Sequence, residues 1–155
     1  MSLLLIIIFE LFLVNLQFLI SRYIGIYELQ PIPLLVFAVF LLLKSEEEFL
    51  FRGLLITGIL TDCFFSQKIG SYLFVFLACG FFFKDSRNVM FKDHVITHVF
   101  FVFALSLVGV FFTYLVGGVF SLRAPIIIAL YNALLTPILY FVFDYIKLDR
   151  LVRTV

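Results

Sequence analysis

Six apolar runs follow one another in this chain, at residues 3–20, 31–43, 49–65, 70–83, 95–120 and 125–146, and the links between them carry most of the charge. None of the runs alternates apolar with polar residues, so none reads as a barrel strand, which would show one wet and one greasy face. Runs apolar on every side suit helices, which close their backbone hydrogen bonds internally. Hydrophobic residues make up 65% of the chain and charged residues only 14%, against about 25% charged in a soluble domain. The expected fold class is all-α integral membrane: a six-helix transmembrane bundle that forms a single domain over residues 1–155.

The second and fourth runs fall short of the ~20 residues that a span requires. They are expected to borrow flanking residues, tilt little or sit in a thinned bilayer; a five-helix chain with one run partly inserted is the alternative. Pro31 and Pro33 open the second run, where proline displaces no internal hydrogen bond. The first run lacks the basic start and small-residue cleavage site of a secretory signal and reads as a retained helix.

Charge gives an independent check on the count. With six spans, Lys44, Arg52, Lys84, Arg87, Lys92, Lys147, Arg150 and Arg153 fall on one side, and only Arg22, Lys68 and Arg123 on the other. The positive-inside rule then places both termini in the cytoplasm. The net charge of +1 argues against nucleic acid as a partner, since phosphate binding needs a concentrated basic surface. Cys63 and Cys79 show no metal or redox spacing and read as apolar filling.

The stretch Arg52–Phe83 carries the sharpest polar signal. Gly58, Thr61 and Asp62 share one helix face, and Gly70 follows the aspartate after a short turn. A carboxylate in a lipid-embedded helix costs about 2.5 kcal/mol or more at mid-bilayer, so it faces protein or water. Close approach at Gly58 would let Asp62 pin a neighbouring helix; a proton or ion relay is the functional alternative. Glu10, nearest the middle of its span, shares a face with Gln17, while Asn15 is turned away. Glu10 and Gln17 are candidates for contact with a membrane partner, an internal polar contact being equally open.

Ser106, Gly109, Thr113 and Gly117 form a small-residue stripe on the fifth run. Ala129, Asn132, Ala133, Thr136 and Tyr140 form another on the sixth, where Pro137 is expected to kink the helix. Both read as packing seams, with Asn132 the polar group of interest. His94 and His98 have metal-compatible spacing, but no third ligand accompanies them and an interfacial role is expected. No catalytic set, cofactor site or metal site is expected, so the chain reads as a non-enzyme. Lys147, Arg150 and Arg153, three apart in the tail, suit the cytoplasmic membrane surface, at about 1 kcal/mol per basic residue.

Gly58-Ile-Leu-Thr-Asp62 followed by Gly70 resembles the bacterial rod shape-determining protein MreD family, in which a helix ends Gly-Leu-Leu-x-Asp and a glycine stands eight residues past the aspartate. The turn after Asp62 is bulkier than that family's, and the first run has little glycine. The resemblance implies a non-enzymatic scaffold of the cell-elongation machinery in the bacterial cytoplasmic membrane. Its implied partners are an MreC-like single-pass protein, the peptidoglycan synthase complex of a RodA-type enzyme with its transpeptidase, MreB and the lipid bilayer. It also implies a fold like the substrate-binding S-components of energy-coupling-factor vitamin transporters, with Gly58, Asp62 and Gly70 shaping a cavity or turn on the periplasmic side. An actual S-component is the rival reading. The first run, however, lacks the Ala-x-x-x-Ala seam such subunits often carry.

Overall fold

The computed structural model describes residues 3–24, 31–45, 47–65, 70–83, 94–118 and 122–146. These residues form six helices and no strand: α1 (Leu3–Ile24), α2 (Pro33–Lys44), α3 (Glu47–Phe65), α4 (Ser71–Phe83), α5 (Val95–Val116) and α6 (Arg123–Tyr145). The boundaries follow local chemistry. Pro33 opens α2, where its missing N–H removes no helical bond. The α5 run stops at Val116, short of the expected residue 120, because Gly118 adopts φ +77° and turns the chain. Pro137 lies inside α6, which continues through it as one helix.

Packing pairs show that successive helices alternate in direction. Gly58 of α3 meets Leu73 of α4, while Gly80, farther along α4, meets Leu54, earlier on α3. Phe74 packs on Phe112, whereas Phe83 packs on Phe101, so α4 and α5 also run oppositely. By contrast, α1 and α3 run the same way: Glu10 lies beside Thr57, and Phe18 beside Phe64.

α2 is the hub. Every residue from Pro33 to Lys44 is buried, and helices on all sides touch it. Phe9 of α1 and Phe143 of α6 lie 5.3 and 5.8 Å from Phe37 in ring-centre distance. Gly53 of α3 lies against Leu41, and His98 of α5 against Phe40. Phe143 also meets Phe9 and Phe40 edge-on, in the geometry that aromatic pairs favour. This placement corrects the expectation that a short second helix must stretch, tilt or thin its surroundings. At 12 residues, or about 18 Å, α2 is enclosed by other helices and has no outer surface to match.

α5 and α6 are each long and apolar enough to cross a membrane. The perimeter is apolar on all five outer helices: Phe12, Ile59, Phe82, Ile96 and Leu134 are all exposed.

Candidate functional site

The motif residues of α3 and α4 meet in one junction. Asp62 is 1% exposed, and its carboxylate accepts three backbone N–H groups at the start of α4. Oδ2 receives Gly70 at 3.0 Å and Leu73 at 3.0 Å, while Oδ1 receives Tyr72 at 2.9 Å. The first turn of a helix leaves its amides without internal partners, and a side chain at the cap position usually takes them up. Gly70 stands at that position with φ +104°, a conformation that favours glycine, and a glycine has no side chain to offer. The aspartate of the preceding helix supplies the cap instead, and its charge also suits the positive end of α4.

Gly58 makes the reach possible. A Cβ there would lie 2.7 Å from the Leu73 Cα, so the backbones of α3 and α4 touch one turn below Asp62. Three residues thus build one joint. Gly58 brings α4 close, Gly70 turns the chain, and Asp62 holds the new helix by its amides. The three amide bonds make Asp62 a helix-pinning contact, the structural one of its two expected roles.

A second clasp holds α2. Asn132 of α6 is 0% exposed. Its Oδ1 accepts the Ile32 N–H at 2.6 Å, and its Nδ2 donates to Ser106 Oγ of α5 at 2.9 Å. Ile32 lies between two prolines, neither of which has an N–H, so one acceptor satisfies the donor that this stretch of backbone offers. Both short helices therefore begin under a polar side chain from a longer helix. Asn132→Leu strands a buried N–H and a buried hydroxyl. We expect a loss of about 2 kcal/mol, read as a lower unfolding midpoint in detergent, with Ser106→Ala costing less.

Glu10 and Gln17 are 0% and 1% exposed, which favours the internal polar contact over the partner contact, the two alternatives left open by the sequence. α1 turns Glu10 inward onto Thr57, in the middle of the Gly53-x-x-x-Thr57-x-x-x-Thr61 stripe of α3. The Thr57 hydroxyl lies 2.5 Å from Glu10 Oε1 and 2.9 Å from the Gly53 carbonyl. Thr61 donates to the Thr57 carbonyl at 2.6 Å. Asn15 is exposed and donates to the Leu11 carbonyl at 2.8 Å. Sequence reasoning missed Thr57 and Tyr72; the four-residue spacing of Gly53, Thr57 and Thr61 was the signal available for the first.

The α5 stripe serves two neighbours. Ser106 faces Asn132, and a Cβ at Gly109 would lie 3.2 Å from the Tyr72 ring. On α6, Ala129, Asn132, Thr136 and Tyr140 are buried and Ala133 is half-buried. His94 is exposed, but His98 is only 2% exposed, which corrects the interfacial reading for the latter. Its Nδ1 donates to the His94 carbonyl at 3.2 Å, and its ring meets Tyr140 at 4.7 Å. No group of metal-compatible side chains occurs among the described residues. Cys63 is exposed and Cys79 half-buried, both as free thiols. An apolar groove of about 390 Å³ runs between α4 and α5, with Leu42 of α2, Cys79 and Ala104 among its lining. Lys147, Arg150 and Arg153 lie outside the described residues.

The fold and site thus define an all-helical bundle in which carboxylate and amide side chains hold helix starts, with two helices able to cross a membrane. No family model, curated protein or solved structure matches the chain.

Proposed function

We propose that this protein is a non-enzymatic six-pass scaffold of the bacterial cytoplasmic membrane, one that recruits other membrane proteins of cell-wall synthesis, as the resemblance to the MreD family implies. The observation that carries the reading is the convergence of Gly58, Asp62 and Gly70 on a single junction. The residues that bear the resemblance act together as one structural unit, as expected of a motif that keeps a bundle in shape for its partners. α2 fills the centre of the bundle, and the apolar perimeter leaves the outer helices as docking faces for other membrane helices. Under this reading the Asp62 junction lies toward the periplasm, and both termini lie in the cytoplasm.

The test is co-purification from membranes with a single-pass, coiled-coil partner of the MreC type and with a RodA-type synthase. Wild-type protein retains the single-pass partner, and Asp62→Ala inserts but retains much less. A vitamin that co-purifies in stoichiometric amount, with no such partner, would replace the scaffold by an S-component of a transporter.

A further inference from the structure

The face that α1 turns toward α3 holds more polar capacity than the protein itself satisfies. Glu10 Oε2 and both polar atoms of the Gln17 side chain are buried without a hydrogen-bond partner among the described residues. Glu10 and Gln17 are 0% and 1% exposed, and Thr57, beside Glu10, and Thr61, one turn further along α3, are 0% exposed. A buried polar atom left unpaired forfeits a sizeable share of a protein's net stability, and three in one seam would forfeit more. Native interiors pair such atoms with protein or with ordered water.

The two helices run in parallel register here. Glu10 sits beside Thr57, and Phe18, next to Gln17, packs on Phe64 and Phe65 at 6.2 and 6.5 Å. Gln17 lies two turns beyond Glu10, about 10.5 Å along α1. Thr61, one turn past Thr57, lies between the two levels. Hydroxyl and amide groups thus punctuate the seam at roughly one-turn intervals.

The chemistry of these groups selects the ligand. Gln17 Nε2 brings two donors, which a bare cation cannot accept, while Gln17 Oε1 needs a donor and the oxygens of Thr57 and Thr61, whose hydroxyl protons are already engaged, are still able to accept one. The ligand must therefore both donate and accept. It must also fit a closed seam, since the side chains concerned have almost no exposure. Water meets both conditions, at two to four hydrogen bonds per molecule. We infer that the α1–α3 seam binds a short file of water molecules running from Glu10 past Thr61 to Gln17. The file gives the carboxyl group a hydrogen-bonded connection toward the end of the bundle where Asp62 holds α4. This inference does not rest on the scaffold reading.

Water-edited solid-state NMR of isotope-labelled wild-type protein in lipid bilayers tests it. Magnetisation from water reaches the Gln17 side-chain amide and Thr61 several-fold faster than it reaches Ala38, which is 0% exposed on the enclosed helix α2. Transfer to Gln17 no faster than to Ala38 overturns the inference. In Gln17→Leu the transfer to Thr61 slows severalfold toward the Ala38 rate; Thr61 transfer left at the wild-type rate rules out a file that depends on Gln17.

Discussion

Asp62→Ala loses about 2–4 kcal/mol of stability, because one truncation strips three amides at the start of α4 of their acceptor. An ordinary helix cap costs less to remove, since it serves one or two amides and water replaces it. Here the side chain is 1% exposed, and Tyr72, which donates one of the bonds, is buried beside it. Oδ2 serves two of the amides and Oδ1 the third, so Asp62→Asn, with one acceptor oxygen, falls between wild type and Ala. Reversible unfolding in mixed micelles reads the series. Equal stability of Asn and Asp variants would show that charge and the second oxygen contribute nothing to holding α4.

Gly58→Ala and Gly80→Ala separate, although an added Cβ meets its nearest neighbour at 2.7 Å in both cases. At Gly58 the neighbour is the Leu73 Cα, part of the α4 backbone. At Gly80 it is the Leu54 Cδ1, the tip of a side chain that can rotate away. Alanine gains about 1 kcal/mol of helix propensity at either site. At Gly80 that gain is largely kept, and the variant is neutral or slightly more stable. At Gly58 the helices must part, at about 1–3 kcal/mol of overpacking, and the Asp62 bonds lengthen with them. A larger residue widens the gap: Gly58→Leu should lose about 3 kcal/mol or more and weaken the Asp62 clasp as well. The double variant Gly58→Leu, Asp62→Ala is then less damaged than the two losses added, because both act on the same junction. Strict additivity would mean that the two residues work independently.

The six helices and the Gly58–Asp62–Gly70 junction were legible because both rest on local pattern. Apolar runs end where charge or glycine ends them, and a carboxylate among apolar residues must meet donors nearby in space. The donors to Asp62 lie 8, 10 and 11 residues further along the chain, within reach of a sequence argument. Contacts between distant segments were not legible. Asn132 holds Ile32 across 100 residues, and Glu10 meets Thr57 across 47. For Glu10 and Gln17, partner contact and internal contact stayed equally open because spacing shows that two residues share a face without showing what that face touches. The position of α2 was hidden for a related reason. An all-apolar helix suits lipid and protein core equally, and α4, equally apolar, keeps Phe81 and Phe82 exposed. His98 likewise read as interfacial because it is one turn from the start of its helix, whereas Tyr140 and Phe40 enclose it.

The proposed six-pass scaffold depends on the direction in which each helix would cross the membrane. Cys63 and Cys79 are replaced by alanine, and single cysteines are placed at Leu122, before α6, and at His94, before α5, both exposed in the structure. Intact cells are then treated with an impermeant maleimide. Six alternating passes from a cytoplasmic start predict labelling at position 122 in intact cells and at position 94 only after the membrane is opened. Labelling of position 94 from outside, or of both positions from the same side, would contradict the alternating six-pass bundle and its cytoplasmic termini.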